Sequence, residues 1–214
     1  MAVYQLFYYP GNASWAPHML LEEIGTAFEL ILVDRKSEQQ KSPEYLKLNP
    51  TGRIPTLADH DQIIVESAAI CLHLCDKHPK SKLMPDIGDP DRARFYQWLF
   101  YLTTTLQAEL MLYFYPDKHT LLQDTAAAIA SAQEARITDM FAYLDDSLKG
   151  RDFLIGDRIS VCDFFLFMLS HWASEFARPP LSFEHLGRYL KALAQRPAIR
   201  KACETEGTSL TAYQ

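Results

Sequence analysis

The pattern of apolar residues changes near His78 and Pro79, and this change constrains the fold more than any other feature. Before it, short apolar runs alternate with helical patterns, which is typical of an α/β unit whose parallel strands need crossover helices. After it, the apolar patterns have the period of a helix. We therefore predict an α/β domain over residues 1–80 and an all-helical domain over residues 89–214.

Turn and helix-end signals divide the first domain into short elements. The predicted order is a strand over Val3–Tyr8, a helix over Trp15–Ile24, a strand over Phe28–Val33, a short helix over Pro43–Leu48, strands over Thr56–Ala58 and Gln62–Val65, and a helix over Ser67–His78. Gly25 ends the first helix. The last two strands flank Asp59-His60-Asp61, a turn-forming cluster, so we expect them to pair as a hairpin.

Helical signals continue through the second domain. Asp89 can cap a long helix that runs to about Tyr115, where Pro116 ends it. Ser160 and Asp163 have the spacing of a capping box, and the continuous apolar run that follows predicts a buried central helix. The other predicted helices are His119–Leu148, Phe183–Ala194 and Ala198–Glu206.

Charge and composition limit the partners. The 214 residues carry a formal net charge of -6 with no dense Lys/Arg block, which argues against a surface for nucleic acid or anionic membranes. The first ten residues lack the pattern of a signal peptide, and no apolar stretch approaches eighteen residues. We expect a cytosolic protein whose partners are small molecules or proteins.

The four cysteines show no CxxC pair, which fits reduced thiols. Cys71, Cys75 and His78 could share one helix face as metal ligands. Ordinary burial is the better interpretation, because free cysteine is among the most buried residue types and leucines stand between these positions. No metal site is predicted.

The stretch NPTGRIPTL over residues 49–57 predicts a site for a peptide-like ligand. Pro55 has no N–H and is tolerated only at an edge, a strand start or a bulge, so the backbone of Ile54 is left for a ligand. Ser67 begins a helix, where its hydroxyl and the free amides can hold a carboxylate, while Glu66 can take an ammonium group. Together these groups suit a small zwitterionic peptide.

This combination resembles the cytosolic glutathione S-transferase superfamily. The resemblance rests on the NPxGxxPxL segment, the Glu66-Ser67 pair, the SVCD capping box at Ser160 and the opening FYYPGNAS at residues 7–14, which is similar to the FYxPGACS of bacterial beta-type members. It implies a thioredoxin-like N-terminal domain, a helical C-terminal domain, homodimers, a role in detoxification, and glutathione as co-substrate with no permanently bound cofactor.

The resemblance also implies how glutathione is held. The Ile54–Pro55 bond should be cis, with the Ile54 backbone pairing with the cysteinyl part, and Glu66 with Ser67 should hold the γ-glutamyl end. Lys36, with Arg35 as competitor, should meet the glycyl carboxylate, although a solvated surface charge is an equal interpretation of Lys36. The implied glutathione-binding residues are Asn12, Lys36, Arg53, Ile54, Pro55, Glu66 and Ser67.

The chain departs from beta-type members at Ala13, where they carry a cysteine, so a mixed disulfide at that position is excluded. The remaining thiolate stabilisers are the hydroxyls of Ser14, Tyr8 and Tyr9. Ser14 lies beside the start of the first helix, where the third helical position, Pro17, has no N–H for it to cap. Tyr8 is the alternative, because a phenol is the better donor. A plain N-cap and a core aromatic are the structural interpretations of these two residues.

Aromatic residues are the candidates for an electrophile site where the first strand and helix face the helical domain. By position and resemblance they are Tyr9, Trp15, Tyr113, Phe114, Tyr115, Trp172 and Phe176. Packing alone also accounts for each of them.

The favoured function is conjugation of the glutathione thiolate to small hydrophobic electrophiles, with glutathione-dependent peroxidase activity as a further expectation. A non-catalytic binding or interaction protein is the alternative from a different class, and the intact Pro55, Glu66 and Ser67 set argues against it. A glutathione-dependent isomerase or dehalogenase uses the same site. A homodimer should form through the long helices that begin near Asp89 and His119.

Overall fold

The structure is a computed structural model that describes residues 4–122 and 125–214. The chain divides into two compact units. The first unit holds the residues up to Met84 together with Ala194–Ala212 and Gln214, and the second holds Pro85–Leu193 and Tyr213. The last helix, which we predicted as part of the helical domain, therefore groups with the α/β unit.

A four-stranded mixed sheet forms the centre of the first unit. Its strands are β1 (Tyr4–Tyr8), β2 (Phe28–Leu32), β3 (Thr56–Asp59) and β4 (Gln62–Val65), in the spatial order β2-β1-β3-β4. β1 and β2 are parallel, while β3 is antiparallel to both β1 and β4. The predicted hairpin is confirmed. Val3, the first residue of the predicted strand, lies outside the described residues.

Helices accompany this sheet in the first unit. They are α1 (Trp15–Ile24), α2 (Pro43–Leu48), α3 (Ser67–Lys77) and, from the end of the chain, α9 (Pro197–Glu206). α1 supplies the crossover between the parallel strands and ends at Gly25, whose left-handed φ of 70° suits glycine. α9 contacts α1 through a buried face that includes Ile199, Ala202 and Cys203.

The second unit is helical. Its helices are α4 (Arg92–Phe100), α5 (Gln107–Phe114), α6 (Ala126–Ser147), α7 (Val161–Trp172) and α8 (Glu184–Ala194). No helix in the described ranges is both long enough and apolar enough to cross a membrane.

The prediction of one uninterrupted α-helix from Asp89 to about Tyr115 was wrong. The α-helix begins at Arg92, and Tyr101–Leu106 form a π-helical segment between α4 and α5. The hydroxyls of Thr103 and Thr104 donate to the carbonyls of Leu99 and Phe100, each at 2.8 Å. Such back-bonding competes with the regular helix ladder, so it accompanies the wider turn.

The predicted start of the second long helix was also wrong, because α6 begins at Ala126 rather than at His119. Pro116–His119 form a 3₁₀ turn, and Thr120 then accepts a hydrogen bond from the Leu122 N–H through its hydroxyl. This local side-chain bond replaces a helical one. Gln123 and Asp124, within the predicted helix, lie outside the described residues.

The predicted capping box at the start of α7 is confirmed. Among the described residues, α7 is the most buried helix. The Ser160 N–H donates to Asp163 Oδ2 (2.7 Å), and Asp163 Oδ1 accepts from the Leu154 N–H (3.0 Å) and the Tyr189 hydroxyl (2.5 Å). Every residue from Val161 to Ser170 is buried. A buried carboxylate with this many donors fixes the entry to the core of the second unit.

Candidate active site

The loop over residues 9–14, here named the active-site loop, joins β1 to α1 in the first unit. The Asn12 N–H donates to the Tyr9 carbonyl (3.1 Å), and Asn12 Oδ1 accepts from the Ala13 N–H (3.0 Å). Gly11 has a left-handed φ of 67°, a conformation that glycine adopts without a steric penalty. The loop is therefore a tight turn held by its own backbone.

Ser14 closes this loop. Its side chain is fully buried, and its hydroxyl donates to the Tyr9 carbonyl (3.2 Å) and accepts from the Tyr9 N–H (3.3 Å). It stands at the N-cap of α1 but makes no side-chain bond to the helix backbone. The plain N-cap is therefore not what the hydroxyl forms, and its bonds go to the loop.

Tyr8 differs from Ser14 in having an available hydroxyl. The residue is half-buried, and its O–H has no hydrogen-bond partner among the described residues. Burial and then the nearby Glu206 carboxylate raise the pKa of Tyr8 above its usual value near 10. The phenol is therefore protonated at neutral pH and can donate a hydrogen bond to an anion.

The start of α3 lies against the active-site loop. Ser67, which is buried, donates through its hydroxyl to the Ala13 carbonyl (2.8 Å). Glu66 before it is exposed and has φ 70°. A positive φ is uncommon outside glycine and clusters at functional sites. The structure thus brings the Glu66-Ser67 pair next to the loop that carries Ala13.

The Ile54–Pro55 bond is cis, as the resemblance implied. Pro55 directly precedes β3, which is a central strand, so among the possibilities for a proline the strand start applies. Neither the N–H nor the C=O of Ile54 has a hydrogen-bond partner within the part of the chain that the structure describes. This leaves a peptide group available to an extended ligand.

The turn before Ile54 is fixed by side chains. The Arg53 carbonyl accepts from the Tyr45 hydroxyl and from Asn49 Nδ2, both at 2.8 Å. Tyr45 also bonds Thr56 Oγ1 at 2.9 Å. The Arg53 side chain itself is exposed.

Cationic side chains lie on two segments. Lys36 is exposed, and its N–H donates to Asp34 Oδ1 (2.9 Å) in the loop after β2. Lys41, which sequence reasoning missed, places Nζ 3.4 Å from the Thr51 carbonyl and so beside the turn that leads to Ile54. A Cβ added at Gly52 would lie only 2.6 Å from that Nζ. No local signal pointed to Lys41, because only the fold brings residues 41 and 51 together.

Four of the predicted aromatics form a cluster within the helical unit. The ring centroids lie 5.2 Å apart for Tyr113 and Phe114, 4.6 Å for Tyr113 and Phe176, and 6.5 Å for Phe114 and Trp172. Phe176 is buried, whereas Phe114 is 41% exposed. We call these four residues the aromatic cluster.

The other three predicted aromatics lie elsewhere. Tyr115 follows the end of α5, with the Lys118 ammonium 4.3 Å from its ring centroid. In the first unit, Trp15 is fully buried, and Tyr9 packs against the buried residues Val33, Tyr45 and Ile54.

Metal ligands are not grouped in the described ranges, where no set of three or more His, Cys, Asp or Glu side chains could hold an ion. The four cysteines are buried, and none of them forms a disulfide within the described residues.

Comparison with known proteins finds family matches in both parts of the chain. Residues 2–76 match the model for the glutathione S-transferase N-terminal domain, and residues 101–197 match that for the C-terminal domain. Glutathione S-transferase GstA of Escherichia coli O157:H7 is 29% identical over 205 residues, covering 95% of this chain and 98% of that protein. Glutathione S-transferase 2 of Schizosaccharomyces pombe is 30% identical over 173 residues, covering 76% and 72%.

Solved structures of other proteins also resemble this chain in their backbone fold. A sphingomonad glutathione S-transferase complexed with glutathione matches with a TM-score of 0.81 and 31% identity, covering 96% of this chain and all of that one. A glutathione S-transferase from Xylella fastidiosa has the same fold, with a TM-score of 0.88, 24% identity, and coverage of 96% and 100%. With both domain models matched in chain order and relatives similar over most of its length, this chain belongs to the glutathione S-transferase family.

Proposed function

We propose that this glutathione S-transferase conjugates the glutathione thiolate to small hydrophobic electrophiles, and that Tyr8 rather than Ser14 stabilises the thiolate. One observation favours Tyr8 over Ser14. The Tyr8 hydroxyl has no partner among the described residues, whereas the Ser14 hydroxyl is buried and bonded to the Tyr9 backbone. A hydroxyl that already donates a hydrogen bond within the protein is less available to the sulfur of glutathione.

The step that needs catalysis is loss of the thiol proton. A free thiol has a pKa near 8.5, and lowering it by about two units corresponds to about 2.7 kcal/mol in favour of the thiolate. A hydrogen bond from a protonated phenol, together with the N-terminus of α1, supplies stabilisation of this kind. The thiolate then attacks the electrophile, and the bond to the leaving group breaks or an activated double bond takes up the proton.

Glutathione is held by groups that the fold brings together. The unpaired peptide group of Ile54 receives the cysteinyl backbone, while the start of α3 with Ser67 and the Glu66 carboxylate receive the γ-glutamyl end. The solved structure of a sphingomonad relative complexed with glutathione supports glutathione as the ligand. For the glycyl carboxylate, Lys41 beside the turn before Ile54 competes with Lys36 and Arg35.

The peroxidase expectation follows from the same thiolate. Its attack on the O–O bond of an organic hydroperoxide releases an alcohol and forms glutathione sulfenic acid. A second glutathione converts that acid to the disulfide and water. Ala13 stands at the position of the beta-type cysteine. In this scheme both thiols therefore come from glutathione.

The aromatic cluster of the helical unit is the proposed apolar wall for the electrophile, through its exposed member Phe114.

Homodimers and a cytosolic location also stay predictions. The rings of Trp98, Tyr101 and Tyr143 lie within 5.7 Å of one another on α4, the π segment and α6, and Tyr143 is 47% exposed. The exposed ring of Tyr143, packed on these aromatics, supports dimerisation through the long helices, which sedimentation tests.

The first experiment is calorimetric titration with reduced glutathione, in which we expect about one site per chain. Ultraviolet titration of the bound thiolate then compares Tyr8→Phe with Ser14→Ala, using Tyr96→Phe on α4 as a matched control. Loss of the Tyr8 hydroxyl should raise the pKa of bound glutathione by about one unit or more, and the other two variants should leave it unchanged. A rise in Ser14→Ala alone would reverse the assignment. No binding at about 10 mM would favour a non-catalytic interaction protein instead.

A further inference from the structure

Glu206 stands in the last turn of α9 with its side chain fully buried, and both of its carboxylate oxygens are used. Oε2 accepts from the Gly11 N–H at 2.8 Å, and Oε1 lies 2.7 Å from His18 Nδ1. His18, on α1, is also fully buried. A single carboxylate near the end of the chain therefore contacts both the active-site loop and the helix that follows it.

The contact with Gly11 complements two other side-chain bonds to the loop. Ser14 ties the loop back to Tyr9, and Ser67 holds the Ala13 carbonyl. Glu206 holds the Gly11 amide from another element. Hydrogen bonds from a backbone N–H to a carboxylate are among the stronger kinds in proteins, so this one limits how far the loop can move.

We infer that Glu206 is a positioning residue for the transferase, since its carboxylate fixes the active-site loop through Gly11 and sets the electrostatic surroundings of Tyr8. The catalytic part of this inference rests on the proposed function of Tyr8. No role in chemistry is assigned to Glu206 itself, which reaches the loop only through the Gly11 amide.

The groups around Glu206 support its effect on the electrostatic surroundings of Tyr8. The ring centroid of His18 lies 6.5 Å from that of Tyr8, and Glu22 Oε1 lies 3.9 Å from His18 Nε2. The Glu206 carboxylate raises the pKa of Tyr8, after burial, and burial with Glu206 raises the pKa of Cys203 to about 12. Both effects have the sign of a buried negative charge. Such a charge disfavours the phenolate form of Tyr8.

Glu206→Gln tests the inference, with Glu204→Gln as the matched control because Glu204 is exposed on the same helix. In the free protein, amide exchange at Gly11 should accelerate about tenfold, and the phenol pKa of Tyr8, identified by difference from Tyr8→Phe, should fall. With glutathione and an electrophile, kcat should fall about tenfold while KM for glutathione changes less than about twofold. The control should match the parent protein throughout.

A Glu206→Asp variant separates charge from reach and serves if Glu206→Gln fails to fold. It keeps the negative charge, so the phenol pKa of Tyr8 should stay near that of the parent protein, while exchange at Gly11 accelerates. Unchanged Gly11 exchange in every folded Glu206 variant would overturn the positioning role. If the parent protein turns over no electrophile, the proposed function fails, yet Gly11 exchange and the Tyr8 titration still decide the role of Glu206.

Discussion

Ser14 and Ser160 each precede a helix, and the two serines do different things. Ser160, before α7, has extended backbone and forms a capping box with the fully buried Asp163. Ser14, before α1, has helical φ and ψ and makes no side-chain bond to its helix. The Asp163 carboxylate thus ties down the N–H and hydroxyl of Ser160 before α7, whereas no side chain caps the start of α1.

The difference separates a structural helix start from one that can serve a ligand. The first amides of a helix have no intrahelical partner and carry the positive end of the helix dipole, so an anion binds there when no side chain does. α3 resembles α1 in this respect, since Glu66 at its N-cap makes no side-chain cap bond. The starts of α1 and α3 both belong to the first unit, and both adjoin the active-site loop.

The largest expected effect is at the capped start. Asp163→Ala removes an acceptor from Ser160, Leu154 and Tyr189, all in a buried site. We expect a loss of about 3 kcal/mol in the free energy of unfolding, because buried donors are left without partners. Denaturant titration measures it, with the exposed Asp157→Ala as control. Equal stability of the two variants would show that the capping box contributes nothing.

A smaller loss of stability is expected at the uncapped start of α1. Ser14→Ala leaves the Tyr9 N–H and carbonyl without their side-chain partner, which should cost about 1–2 kcal/mol in the free energy of unfolding. Denaturant titration again measures it. If stability is unchanged while the pKa of bound glutathione rises, the Ser14 hydroxyl serves the ligand rather than the loop.

The smallest effect is expected at the start of α3 and appears in binding. Glu66→Gln removes the charge proposed to meet the ammonium group of glutathione, so the dissociation constant should rise about fivefold to tenfold, corresponding to about 1–1.4 kcal/mol. Calorimetric titration measures it, with Asp61→Asn in the exposed hairpin turn as control. Equal affinities in the two variants would remove Glu66 from the proposed site.

Features with local signals could be predicted from the sequence. The predicted bounds of α1, Trp15 to Ile24, are those of the structure, because Gly25 marks its end. The hairpin of β3 and β4 and the capping box of α7 depend on residues a few positions apart. The cis bond before Pro55 came from the family resemblance instead.

Other features could not be predicted, because the sequence pattern allows more than one local structure or because distant residues meet only in the fold. The π segment at Tyr101–Leu106 arises within a helical pattern that a regular α-helix also satisfies. Lys41 reaches the turn before Ile54 only through the fold. For Ser14, the sequence showed that Pro17 offers no N–H, but not that the hydroxyl turns back to Tyr9.

The bond between Gly11 and Glu206 also has a consequence for biosynthesis. The two residues are 195 positions apart, so at about 5–20 residues per second Gly11 precedes its acceptor by roughly 10–40 s. During that interval the nascent thioredoxin-like segment has its sheet residues but lacks one anchor of its active-site loop. The segment that is translated first therefore reaches its final form only after the helical unit has been made.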